Sequence, residues 1–435
     1  MTEQIKMDSL FDSLKIEQRK KDGNDPLKLL ILGFGSVAQY LYDYLLGDVY
    51  EYDIHIGTRS TDKAQEYINC IRSANVVRYG SIDSTTELHK VDLNEVDSIA
   101  ALINQVCPDV VINTSRYVSH LKYGSLSWSN WRAYGYWCPL SMMYVKNIAE
   151  AIKQSGKKCV FINTSYPDVT NAWAVFGTGL TNPIFGAGNV NHIVARYKQA
   201  FIDLWNASSY KTKFGELAIH DLDVLIVTGH FQDVLIGKEG KPNDEGAINP
   251  EILVKVDVHF NDEPLSKAVQ QFANDFRESI FEHCAIPFPS DKTRNMMVAS
   301  SVFEIVNSLS TWTENTVIDA DSKLYKILNI PGPFGNCGGY PVLFRPGLEP
   351  SIASERVFDV DQKEFLSINK RSLYEDGIDT SLISKGIVRF CNDEKLTKME
   401  AMLNITMPKI VSYGNVQEVA KMIEDAISRY MTKMS

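Results

Sequence analysis

Several features that mark common protein classes are missing from this chain. Its seven cysteines (Cys70, Cys107, Cys138, Cys159, Cys284, Cys337 and Cys391) form no CxxC pair. That excludes a disulfide framework and a zinc site built on paired cysteines, and no metal is expected. No apolar run approaches the roughly eighteen residues of a membrane span. The first 26 residues lack the apolar core and small-residue cleavage site of a signal peptide. Positive charge is in deficit: 44 Lys and Arg against 54 Asp and Glu leave a net charge of −10. That balance disfavours nucleic acid and anionic membranes as partners. A tyrosine followed four residues later by lysine, the proton-relay pair of short-chain dehydrogenases, is also absent. These absences predict a cytoplasmic protein whose partner is a small molecule.

What is present is globular. Of 435 residues, 44% are hydrophobic and 23% charged, and the length fits two or three domains. Residues 1–26 read as a charged arm, with an apolar pattern at Met7, Leu10, Phe11 and Leu14. From residue 27 the pattern becomes strand, turn, helix, repeated. The run Leu29–Leu32 has the continuous apolar character of a strand buried in a parallel sheet. Further strands are predicted at 53–58, near 87–93, at 108–115 and at 158–165. Strands alternating with helices predict an α/β Rossmann domain, a doubly wound parallel sheet, over 27–190. Residues 191–410 predict an α+β domain with a mixed or antiparallel sheet, holding substrate or a dimer partner. Residues 411–435 predict a helix that returns to the first domain. A homodimer is expected.

The chemistry starts at Gly33-Phe34-Gly35-Ser36-Val37-Ala38, a GxGxxA between a buried strand and an amphipathic helix. Gly33 suits a tight turn, Gly35 lets backbone approach a pyrophosphate, and Ala38 allows close helix–strand packing. The helix N-terminus then offers unbonded N–H groups and the positive end of its dipole. At the end of the second strand stand Thr58, Arg59 and Ser60, with Lys63 one turn on. NAD sites usually carry a carboxylate there; Asp53 instead precedes the strand. A cation in that place accepts a 2′-phosphate, so NADP(H) is favoured over NAD(H). Ligands of such sheets sit at the carboxyl ends of the strands. That adds Asp92, Leu93, Asn113, Thr114, Ser115 and Ser165 to the cofactor candidates, though Asn, Thr and Ser there suit ordinary turn capping equally well.

These segments together resemble the saccharopine dehydrogenase-like family, and more loosely its homospermidine synthase branch. The resemblance rests on LLILGFGSVAQ (29–39), GTRSTDKA (57–64), VDL (91–93), PDVVINTS (108–115), FINTSYPD (161–168) and NPIFGAGNVNHI (182–193). It implies NAD(P)-linked formation or cleavage of a secondary amine, through an imine joining an amine to a keto acid or aldehyde. Two departures fall near the expected substrate. Val190-Asn191 replaces the family's Pro-Gly, and residues 116–140 read as an insertion.

Hydride chemistry belongs to the cofactor, so the protein must supply a proton donor or acceptor and charge complementarity. His192, Tyr166 and His230 are the acid–base candidates. Arg116, Asp168, Asn189 and Arg196 are the candidate substrate contacts; arginine suits bidentate binding of a carboxylate. The segment 117–137 holds seven aromatics, three of them tryptophan, and is expected to form a pocket wall or lid, or a subunit interface. The glycine- and proline-rich stretch 330–341 is expected to be a connecting loop. Two functions follow: an NADP-dependent oxidoreductase acting on a CH–NH or CH–OH donor, or a non-catalytic NADP-binding regulator.

Overall fold

The chain is described by a computed structural model over residues 7–14, 26–118, 120–239, 251–259, 262–289, 291–310, 325–345, 348–353 and 361–434. Six strands, β1 (Leu27–Leu32), β2 (Tyr52–Thr58), β3 (Thr85–Lys90), β4 (Val110–Asn113), β5 (Val160–Asn163) and β6 (Ile184–Gly186), form one sheet in the order β3-β2-β1-β4-β5-β6. All its pairings are parallel. This is the doubly wound Rossmann order, with its switch between β1 and β4. Leu29 to Leu32 of the central strand are fully buried. Each such side chain contributes roughly 1.5–3 kcal/mol by leaving water. The edge strand β3 is instead largely exposed or half-covered, with His89 alone of its residues buried.

Helices cover both faces. A short α1 (Leu10–Leu14) inserts Leu10 and Leu14 into the core beneath β1; Phe11 lies outside the described side chains. The others of this half are α2 (Ser36–Leu46), α3 (Thr61–Tyr79), α4 (Val96–Val106), α5 (His120–Asn130), α6 (Cys138–Ser155) and α7 (Pro167–Thr178). Ala38 of α2 is wholly buried, the close approach to the sheet that its small side chain permits.

From β6 the long α8 (Asn189–Ala207) and the short α9 (Ser209–Phe214) lead into a body with its own core. There β7 (Leu222–Val227) pairs antiparallel with β8 (Leu253–Val258). At the centre of this core Phe201 stacks on Trp205, and Phe272 meets both edge to face. Helix α10 (Phe231–Glu239) follows β7; α11 (Glu263–Asp275) and α12 (Arg277–His283) follow β8. Then α13 (Asn295–Ser310) returns to lie against α2, and its Val302, Ile305 and Leu309 share a core with β1. Antiparallel β9 (Lys326–Pro331), β10 (Gly339–Arg345) and β11 (Leu348–Ile352) form a further sheet. The last segment carries α14 (Gln362–Glu375), β12 (Ile378–Asp379), β13 (Ile387–Phe390), α15 (Asp393–Leu403), β14 (Ile410–Ser412) and α16 (Val416–Met434). Its apolar residues from Leu373 to Ile427 share one core with α4 and α6.

That shared core corrects the expectation for the aromatic segment. Trp131, Tyr136 and Trp137 are buried within it, and the Tyr136 hydroxyl donates to the Cys391 carbonyl at 2.7 Å. The density of rings follows from packing on two sides at once, with α6 against one flank of the segment and the C-terminal strands against the other. The stretch 330–341 is a loop between β9 and β10, as expected. Its glycines admit protein backbone: a Cβ on Gly332 would lie 2.1 Å from the Pro167 carbonyl, and one on Gly339 2.4 Å from that of Thr228. The loop thus clamps the end of β5 rather than approaching a ligand. Cys337 within it is half-buried, and desolvation pushes its thiol up to about 12, a poor nucleophile.

Candidate functional site

Two neighbouring places at the carboxyl ends of the strands have the character of a site. The first is a groove of about 320 Å³ lined by Phe34, Gly35, Ser36, Thr58, Ser60, Lys63, Tyr67 and Lys292, among others. Gly33 holds a positive φ of 89°, and a Cβ there would sit 2.9 Å from that of Ser115, so the turn tolerates only glycine. Gly35 caps α2 without any side-chain bond, and a Cβ on it would meet nothing within 4 Å. The helix start therefore has open space beside Gly35, room of the kind a diphosphate cradle requires. Val37 buries its side chain.

The cations of this groove are Lys63 and Lys292. Lys292 comes from far along the chain, in the segment that enters α13. The neighbouring Asn295 donates to the Ser36 hydroxyl at 2.6 Å, which anchors that segment on the glycine turn. Arg59 is not among the lining residues. It lies near Tyr144, where burial raises the hydroxyl pKa and the Arg59 charge opposes the rise. Arg59, expected at the 2′-position, is exposed, while Lys63, one turn later, lines the groove. Asp53 stands at the opposite end of β2, paired with Lys28.

The two NTS triplets act on the protein itself. The Asn113 carboxamide accepts from the Ser115 N–H at 3.0 Å and hydroxyl at 2.6 Å, and donates to Asn163 at 3.0 Å. The Thr114 hydroxyl donates to the Gly33 carbonyl at 3.0 Å, and that of Ser165 to the Ser115 carbonyl at 2.9 Å. Their side chains fix the strand ends, the capping role, instead of reaching outward. Leu93 is also corrected: it is buried in the core, and its carbonyl accepts from Asn147 at 2.8 Å. Asp92 is exposed and binds Asn94.

The second place is a buried cluster just past β5. Tyr166 precedes α7 with a φ of 45°, a left-handed conformation that a bulky residue adopts only under constraint. Its hydroxyl donates to Asp376 at 2.7 Å, and its ring meets His230 edge to face, centroids 4.5 Å apart. Asp168 accepts the His230 backbone N–H at 2.7 Å and lies 3.5 Å from its Nδ1. The Tyr134 backbone N–H donates to Asp376 at 2.6 Å. Both carboxylates are wholly buried. Burial disfavours the charged imidazole of His230, but Asp168, Asp376 and Asp233 outweigh it and raise its pKa above 6.5. Burial raises the Asp376 carboxyl, against the His230 charge and the bonds from Tyr134 and Tyr166. Oδ1 of Asp168 and Nδ1 of His230 have no hydrogen-bond partner among the described residues. Buried polar atoms left this way are rare and mark places of strain or function.

His192 lies nearby on α8, its Nε2 3.4 Å from the Ser301 hydroxyl. Burial lowers its pKa, with Asp233 opposing. Arg196 is buried in an ion pair with Asp233 and donates to the Cys284 carbonyl at 3.0 Å. Its guanidinium therefore holds the second body together, a correction to its expected place against substrate. Arg116 is exposed beyond β4, and the Asn189 side chain lies outside the described residues. A different arginine contributes charge nearby. Arg294 acts electrostatically on Tyr134 and His192 and lies over Phe288 at 5.9 Å. Among the described residues, no carboxylate pairs with it.

Sequence reasoning brought Tyr166, Asp168 and His230 forward as separate candidates; the fold brings them into one cluster. It missed Asp376, Tyr134, Asp233, Lys292 and Arg294. Asp376 lies 210 residues from Tyr166, and no local pattern could join them. The run Lys292-Thr293-Arg294-Asn295 carried the one available signal, two cations beside a helix start.

Comparison with known proteins agrees with this geometry. Residues 29–130 match the saccharopine dehydrogenase NADP binding domain. This stretch is similar to the NADP-binding domain of that family. The match supports an oxidoreductase. Among solved structures, a lactate dehydrogenase of Cryptosporidium parvum bound to lactic acid and nicotinamide adenine dinucleotide aligns over 83% of this chain and 98% of its own, at 14% identity and a TM-score of 0.48. MGS-M5, a lactate dehydrogenase from a Medee basin deep-sea metagenome library, aligns over 83% and 99%, at 11% identity and a TM-score of 0.43. No curated protein matches the sequence significantly. No helix among the described residues is long and apolar enough to cross a membrane.

Proposed function

We propose that the chain is an NADP(H)-dependent oxidoreductase acting on a small amine or amino acid, or on the imine it forms with a keto acid or aldehyde. When bound, the dinucleotide supplies or accepts the hydride. The α2 N-terminus and Gly35 would hold its diphosphate, and Lys63 and Lys292 its 2′-phosphate. His230 would give or take the substrate proton. The Asp168 charge beside the ring and the surrounding carboxylates favour its charged form, as a proton donor near neutrality requires. Tyr166 and Asp376 would keep that cluster rigid, and Arg294 would bind a substrate carboxylate.

The observation that carries the reading is the pair of unsatisfied atoms on Asp168 and His230, beside the strand end next to a dinucleotide cradle. A non-catalytic NADP-binding regulator is the rival, favoured by the complete burial of Asp168 and Asp376. Titration with NADPH and NADH, followed by a turnover screen across amines, amino acids and keto acids, separates them. Turnover lost in His230→Asn with NADPH binding intact supports the enzyme. Tight NADPH binding with no turnover across the panel favours the regulator, and failure to bind either dinucleotide removes both.

A further inference from the structure

The open flank of the Rossmann sheet carries a cluster of different chemistry. His55 on β2 and Glu87 on β3 are directly paired, and His89 follows two residues on, so all three side chains share one face. His55 Nδ1 lies 2.8 Å from His89 Nε2 and 3.6 Å from a Glu87 oxygen, and the other Glu87 oxygen is 3.8 Å from His89 Nε2. Both histidines are buried, while Glu87 is 60% exposed. We propose that His55, His89 and Glu87 form a binding site for a borderline divalent transition-metal ion, of which Zn2+ is the reference.

Zinc bonds of roughly 2.0–2.1 Å in tetrahedral geometry place ligand atoms about 3.3 Å apart. The three separations bracket that spacing, so a small rotation of the rings and of the mobile carboxylate closes the site. Two imidazoles and one carboxylate are the donor set such ions favour over calcium or magnesium. A second, independent observation concerns the far side of His55. Its Nε2 is buried with no hydrogen-bond partner, yet lies 3.3 Å from Asp53. Asp53 is itself held by the Thr85 hydroxyl at 2.7 Å and by Lys28. A carboxylate behind a ligating histidine fixes the tautomer that leaves the opposite nitrogen free to bind metal. The exposed flank at Glu87 gives the ion an entry path and leaves a fourth position for water. Bound there, the ion would staple the edge strand to β2, whose far end, Thr58, lines the cofactor groove. The expectation that the chain holds no metal rested on cysteine spacing, and this site uses no cysteine.

The test uses the full chain, stripped with chelator and titrated with Zn2+, with Co2+ as a spectroscopic probe. The expected result is one equivalent bound, tetrahedral d–d bands for Co2+, and a Tm raised by a few degrees on adding Zn2+. His89→Asn should weaken binding at least tenfold and abolish the thermal shift. Should that variant fold poorly, Glu87→Gln, at an exposed position, carries the test with a smaller loss. Binding at wild-type strength in both variants would place the metal elsewhere, on thiols for instance, and overturn the proposal. So would failure of the wild type to bind, which would leave the two rings joined by a hydrogen bond only. NADPH binding is measured separately, so either outcome leaves the oxidoreductase reading to its own test.

Discussion

The groove at the ends of β1 and β2 and the cluster at the end of β5 stand side by side, yet they are built on opposite principles. In the groove Gly35 at the start of α2, Lys63 and Lys292 line open space, the arrangement of a surface made to receive an anion. In the cluster Tyr166, Asp376, Asp168 and His230 are packed against one another, and charge is held in place by burial and by neighbouring charge. The groove binds by groups left free; the cluster acts by groups held in place. Variants should therefore affect affinity in one place and rate or stability in the other.

The largest effect expected is in the cluster. His230→Asn should lower kcat by about 10²–10⁴-fold, the usual contribution of a positioned acid or base, and leave NADPH affinity within a few-fold. Loss of affinity equal to the loss of rate would erase the distinction between the two places. Next comes Gly35→Asp. A side chain there has room, so the melting temperature should hold, while a carboxylate facing the diphosphate should weaken NADPH binding about 100-fold, or about 2.7 kcal/mol. Unchanged affinity, read by fluorescence titration, would empty the groove of its role.

Lys63→Glu should cost NADPH about tenfold in affinity, or about 1.4 kcal/mol, with NADH little affected. Arg59→Asp, at a residue outside the groove lining, should discriminate far less. The reverse order would return the 2′-phosphate to Arg59.

The smallest effect is on stability and depends on pH. The folded-state pKa of His230 is raised, so its contribution is complete below about 6.5, the ordinary histidine value, and fades as pH rises through the elevated folded value. Asp168→Asn removes the nearest source of that rise. The melting temperatures of wild type and variant should differ most in acid and converge toward alkaline pH. A gap that stays constant with pH would mean that Asp168 acts through its backbone bond alone.

Local sequence was enough to establish the Rossmann half. The Leu29–Leu32 run, the glycine turn and the face of α2 each encode their conformation within a dozen residues, because strand burial, tight turns and helix amphipathicity are short-range properties of the chain. The same locality explains the errors. Arg59 is adjacent to the groove in sequence, but it is Lys63, in the first turn of α3, that lines it. Leu93 and the NTS triplets sit at the right strand ends, yet their side chains are claimed by core and by turns. What only the tertiary structure decided is which distant residues share a low-dielectric space: Asp376 with Tyr166, Lys292 and Asn295 with the glycine turn, Arg294 with the cluster. Those encounters depend on the path of the second half of the chain over the first, and no periodicity in either half records where the two will meet.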